Sequence, residues 1–108
     1  MKRGLAIAVV LAAMAQPLTA AHAKHVPRAV EVVVDKLAFG TVPADLRVGD
    51  TVIWVNRDLF RHSATATGHF DVDLQVGARR PMLLTKAGTY AFKCKYHPGM
   101  KGVLKVRG

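Results

Sequence analysis

The stretch Lys86–Val106, KAGTYAFKCKYHPGMKGVLKV, decides how this chain is read. Tyr90, Phe92 and Cys94 alternate with Thr89, Ala91 and Lys93, the period-two pattern of a strand with one buried face. Pro98 and Gly99 then punctuate a tight turn, and GVLKV from Gly102 resumes an extended pattern. At the junction stands the only cysteine of the chain, three residues before His97, with Met100 three residues further on.

Reading outward, the same strand pattern recurs. AVEVVVDKLAF from Ala29, DTVIWVN from Asp50, HSATAT from His62 and RPMLLT from Arg80 are β-branched, apolar or alternating. Between them lie GTVPADLRVGD, ATGHFD, VGARRP and KAGT, rich in turn residues. No stretch beyond the first 23 residues carries a capped helical stripe. Short strands with closely spaced turns imply an all-β sandwich or barrel, with Trp54, Phe39, Phe70, Tyr90, Phe92 and Met82 in its core.

The amino-terminal residues are of another kind. Lys2 and Arg3 precede the 12-residue apolar run Gly4–Ala15, and AHA at Ala21–Ala23 is a small-x-small cleavage signature. This reads as a secretory signal peptide over 1–23. The run falls short of the roughly 20 residues a membrane span requires, so cleavage leaves an exported domain, 24–108, with no membrane span. One domain of that size has a marginal core. A single cysteine cannot supply an internal disulfide, so packing or a metal must complete the stability, and an unoccupied thiol would be open to oxidation.

The whole chain carries +9, and loss of Lys2 and Arg3 lowers this to +7. No five-residue basic run or aromatic-basic interleaving marks a nucleic-acid module. The excess fits either a solvated surface or a field that steers an acidic partner.

A tight loop brings Cys94, His97 and Met100 around one point. Thiolate, imidazole and thioether form a soft donor set that selects copper over zinc, magnesium or calcium. His62, opening the strand after the loop RDLF, is the fourth candidate from a distant segment. Two histidines, one cysteine and a weak axial methionine are the donor set of blue-copper electron transfer. His69, in a turn, reads as a surface histidine. His25 lies next to the new amino terminus and reads at most as an adventitious copper site.

DTVIWVNRDLFRHSATA together with KAGTYAFKCKYHPGMKGVLKV resembles the cupredoxins, and the Cys-x-x-His-x-x-Met loop is similar to that of the amicyanin-like members. The resemblance runs from Phe39 to Val106. It implies a single-domain Greek-key β-sandwich, one type 1 copper ion, and His62, Cys94 and His97 as equatorial ligands with Met100 axial. It also implies a monomeric periplasmic one-electron carrier, not an enzyme, that meets redox protein partners. The chain departs from the amicyanin pattern at Ser63, where those proteins have an asparagine tying the ligand loops, and at Lys95-Tyr96 between the cysteine and the histidine.

CKYH lacks the second cysteine of a c-type haem site, and no hydrolase signature surrounds Cys94. Copper delivery is the competing function. Cu(I) cargo proteins favour methionine-rich or Cys-x-x-Cys sites, so this donor set favours the carrier. For docking, the sequence offers Leu59, Phe60 and Pro98 as an apolar collar about His97, and Arg57, Arg61, Lys95 and Lys101 as a basic rim.

Overall fold

The structure, a computed structural model, describes residues 4–14 and 24–108. The basic start and the Ala21–Ala23 signature of the expected signal peptide lie outside the described residues. Residues 4–14 form neither helix nor strand, and no helix among the described residues is long and apolar enough to cross a membrane.

Nine strands follow: β1 Ala29–Asp35, β2 Ala38–Phe39, β3 Leu46–Arg47, β4 Thr51–Asn56, β5 His62–Ala66, β6 Phe70–Leu74, β7 Arg79–Leu83, β8 Gly88–Lys93 and β9 Lys101–Arg107. They form two sheets, ordered β2-β1-β4-β7 and β3-β9-β8-β5-β6. Both are mixed, since β1 runs parallel to β4 and β3 parallel to β9. The expected all-β sandwich is thus present.

Alternation decides what fills it. Val32, Val34, Val52, Trp54, Leu74, Phe92, Leu104 and Val106 turn inward from both sheets. Each such large apolar side chain contributes about 1.5–3 kcal/mol on burial. Trp54 stands edge-on to Phe92 at 5.2 Å and to Phe39 at 6.1 Å, and Phe70 and Tyr90 pack beside them. Met82 is partly buried against the same cluster. Gly102 faces Phe92 across the β8–β9 ladder, where an added Cβ would lie 2.3 Å from the ring. Only glycine lets that ring lie across β9.

Besides the two-residue β3 inside GTVPADLRVGD, the structure refines the strand reading in two places. The run Ala29–Phe39 is a hairpin, β1 and β2 joined by Lys36 and Leu37, both at positive φ (50° and 58°). That is the backbone of a two-residue type I′ turn, built here without the usual asparagine or glycine. The second is β6, read only as a turn-rich region, which pairs residue by residue with β5 from His62↔Leu74 to Ala66↔Phe70.

Candidate metal centre

Two loops at one end of the sandwich bring the site together. The first, Arg57–Arg61, joins β4 to β5 across the two sheets. Asn56, the buried last residue of β4, holds it from inside: its amide Nδ2 donates to the carbonyls of Phe60 and Leu74 (2.9 Å each), and its Oδ1 accepts the N–H of Asp58 (2.9 Å). The second loop, 94–100, joins β8 to β9, which are in register at Lys93↔Lys101. Cys94 N donates to Met100 O (3.1 Å) and Met100 N to His97 O (2.9 Å), so Pro98 and Gly99 form the turn that draws both ends together.

The Sγ of Cys94 lies 3.6 Å from His62 Nδ1 and 3.9 Å from His97 Nδ1, and the three donor atoms lie within 4.8 Å of one another. His62 and Cys94 are fully buried, while His97 is half-buried. Met100 is buried at the end of the same loop, its side chain joined to the core. The structure therefore gathers His62, Cys94 and His97 and places Met100 beside them on the closing turn. His69 lies elsewhere, its ring against Tyr90 at 4.9 Å. His25 also lies apart, with Nε2 on Asp50 Oδ1 at 2.6 Å.

The surroundings prepare the donors. Burial pushes the Cys94 thiol up, but hydrogen bonds from His62, the Ser63 amide, His97 and the Tyr96 amide outweigh it, and the thiol is lowered from 9.0 to about 6. Such a sulfur is thiolate at neutral pH. On the far side of His62, Nε2 meets Asp58 Oδ2 at 2.8 Å. Asp58 also accepts the N–H of Leu37 (2.9 Å) and of Leu59 (2.8 Å). The Leu37 amide, then His62, hold its carboxyl below the ordinary range. The Asp58 carboxylate accepts a hydrogen bond from Nε2–H, and a metal bound at Nδ1 would stand where that nitrogen otherwise hydrogen-bonds to the sulfur.

A first-row metal bonds to imidazole at about 2.0–2.1 Å and to thiolate at about 2.3 Å, which at angles near 110–120° separates N from S by about 3.6–3.8 Å. The observed 3.6 and 3.9 Å fit a single ion shared by all three donors. Two imidazoles and a thiolate suit copper, which takes soft donors in trigonal geometry.

Asp58 and Leu37 escaped the sequence reading. Asp58 stands four residues before His62, a spacing with no meaning until β5 is known to start at His62. Leu37 reaches Asp58 only because the β1–β2 turn projects over this end of the sandwich.

Outside the donors, Phe60 lies 6.1 Å from His97 ring to ring, and its chain neighbour Leu59 and the chain neighbours of His97, Tyr96 and Pro98, are exposed. The expected basic rim is different in the structure. Arg61 pairs with Asp73 (2.9 Å) and stacks over Tyr96, Lys95 pairs with Asp71 (2.9 Å), and Arg57 lies 4.0 Å from Glu31. Of the four cations only Lys101 lacks an acidic partner among the described residues.

No family model matches the chain. It is 32% identical over 89 residues to amicyanin of Paracoccus denitrificans, an alignment covering 72% of this chain and 65% of that protein. The chain therefore spans slightly less than two thirds of this curated relative's length. Among solved structures it is similar to amicyanin from Paracoccus versutus, with TM-score 0.63, 27% identity, and coverage of 73% of this chain and 81% of that one. It is also similar to a reduced amicyanin variant, with TM-score 0.63, 27% identity, and coverage of 79% and 88%.

Proposed function

We propose, from the likeness to amicyanins, that the chain is a cupredoxin of the amicyanin-like kind, a small exported type 1 copper protein that acts as a one-electron carrier between redox proteins and not as an enzyme. The observation that carries this reading is the cluster of His62 Nδ1, His97 Nδ1 and Cys94 Sγ at separations one copper ion would bridge. His62, Cys94 and His97 would hold the ion, with Met100 as a weaker fourth donor, and the ion would supply one-electron chemistry by cycling between Cu(II) and Cu(I).

The protein's part is to hold the donors still. Asp58 fixes the His62 tautomer, Asn56 fixes the loop that carries Asp58, and two backbone hydrogen bonds close the Cys94–Met100 loop. Donors locked in this way need little rearrangement when the charge at the centre changes. His97, alone of the three half-exposed, gives the electron its way out through the apolar collar.

The partners proposed are redox proteins that dock on that collar, with acidic ones favoured by the overall charge. Because three of the rim cations are already paired, steering falls chiefly to Lys101 and to charge farther away, and it acts on the association rate. The domain is read as a periplasmic or otherwise exported monomer, residues 24–108 after removal of 1–23. Amine oxidation, suggested by the amicyanin likeness, is one pathway such a carrier would serve.

Copper delivery predicts different behaviour on reduction. Repeated cycling between ascorbate and ferricyanide with a copper(I) chelator present separates the two. A carrier keeps its metal over successive cycles, whereas loss of copper to the chelator on first reduction would favour delivery.

A further inference from the structure

Ser63 follows His62 and holds the cysteine segment in two ways. Its main-chain N–H donates to Cys94 Sγ at 3.4 Å, and its Oγ accepts the N–H of Lys95 at 2.9 Å. Ser63 is fully buried, so one residue grips both the sulfur and the peptide that follows it.

A serine hydroxyl has one proton, and its direction decides how firmly Oγ accepts. The neighbours determine that direction. A carboxylate only accepts, so Thr65 Oγ1 gives its proton to Asp71 Oδ1, 2.9 Å away. Thr65 Oγ1 must then accept from Ser63 Oγ, also at 2.9 Å. Ser63 therefore points its proton outward and turns its lone pairs toward Lys95 N–H. Lys95 closes the circuit from the other side, Nζ donating to Asp71 Oδ2 at 2.9 Å. The ladder makes this possible by setting Thr65 opposite Asp71 on β6.

We propose that Thr65 and Asp71 are positioning residues of the copper centre, acting through Ser63 to fix the Cys94–Lys95 peptide and the thiolate. The inference rests on the copper reading above and deepens it, since it names what stands in for the single asparagine of the amicyanin pattern. The outer half of the relay is exposed, with Asp71 at 54% and Lys95 at 43% side-chain exposure, and an ion pair so placed contributes little stability by itself. Its effect is directional: it orders two hydroxyls whose inner end is buried. If the order is lost, the Ser63 N–H···S hydrogen bond loosens, the sulfur keeps more charge, and Cu(II) gains over Cu(I).

Thr65→Val keeps the shape and removes the relay, Thr65→Ser restores the hydroxyl, and Asp71→Asn removes the terminal charge. Thr67→Val, outside the relay, is the control. Two readouts apply: amide exchange at Lys95 in the metal-free protein, and the reduction potential of the copper-loaded protein. Lys95 exchange should accelerate by about tenfold in Thr65→Val, the worth of one hydrogen bond, and less in Asp71→Asn. The Cu(I)-to-Cu(II) affinity ratio should fall by about threefold in Thr65→Val. Thr65→Ser and Thr67→Val should match wild type in both. Lys95 exchange and potential at wild-type values in both Thr65→Val and Asp71→Asn would overturn the proposal. If the wild-type protein failed to bind copper, the copper reading itself would fall. Lys95 exchange in the metal-free variants would still support or overturn the relay.

Discussion

β4 has a histidine held by a buried carboxylate at each of its ends. Before the strand, Asp50 accepts from His25 Nε2 (2.6 Å) and from the N–H groups of Arg28 (3.1 Å) and Arg47 (2.9 Å). After it, Asp58 accepts from His62 Nε2 (2.8 Å) and from the N–H groups of Leu37 (2.9 Å) and Leu59 (2.8 Å). Each carboxylate gathers two chain segments and one imidazole. The two ends differ in what lies beyond the ring: His62 is sealed from solvent with Nδ1 facing a thiol, whereas the side chain of His25 is 29% exposed and belongs to no donor cluster among the described residues. A carboxylate-held histidine is thus a staple in itself, and the thiol and second histidine make one of them a candidate metal centre.

The largest contrast should come from removing the thiol. Cys94→Ser should abolish the intense thiolate-to-copper absorption and leave a folded β-protein, while His25→Ala should keep the full colour. Loss of colour in His25→Ala would mean that the amino-terminal histidine takes part in the centre.

Next, Asp58→Asn should weaken copper binding by about 10–100-fold, as loss of a carboxylate behind a ligating histidine does. Asp50→Asn should leave copper affinity alone and lower stability instead. Burial pushes the Asp50 carboxyl up, but the Arg47 amide, His25 and the Arg28 amide outweigh it and lower it from 3.8 to about 2. A depressed carboxyl stabilises the fold above its unfolded pKa, and this contribution, about 2 kcal/mol, fades as pH falls from about 4 to about 2. Acid denaturation of Asp50→Asn should therefore be less steep across that window. Equal copper affinities in the two Asn variants would erase the distinction between the ends of β4.

Met100, on the loop that carries Cys94 and His97, sharpens the comparison further. Met100→Gln, offering a harder oxygen, should lower the reduction potential, and Met100→Leu, offering no donor, should raise it. Voltammetry showing both variants at the wild-type potential would make Met100 a core residue.

Much of this centre was legible in the sequence because its chemistry is local. Cys94, His97 and Met100 sit on one short loop, and His62 opens a strand after a recognisable turn. What was not legible depended on pairing. The β1–β2 turn carries Lys36 and Leu37 where a type I′ turn usually announces itself with asparagine or glycine, so the run looked continuous. β6 was hidden behind Gly68 and His69, although Phe70, Val72 and Leu74 alternate with Asp71 and Asp73. That omission had a consequence at the site. Asp71 and Asp73 are the residues that neutralise Lys95 and Arg61, so the basic rim seemed freer than it is.

The smallest effect is therefore expected from rim charge. Lys101→Glu should slow electron transfer to an acidic redox protein by about twofold to threefold at low salt, an effect screened at physiological salt. Lys95→Glu should instead disturb the copper spectrum, because Lys95 belongs to the Ser63–Asp71 circuit. Stopped-flow rates indifferent to both Lys101→Glu and salt would assign docking to the apolar collar alone.

Titration of the metal-free protein with Cu(II), followed in the visible spectrum, tests the central claim most directly. One intense thiolate-to-copper band that saturates at one equivalent, bleaches on one-electron reduction and returns on reoxidation is the result expected of His62, Cys94, His97 and Met100 around a single ion. Copper bound without that band, or a band that continues to grow beyond one equivalent, would contradict it.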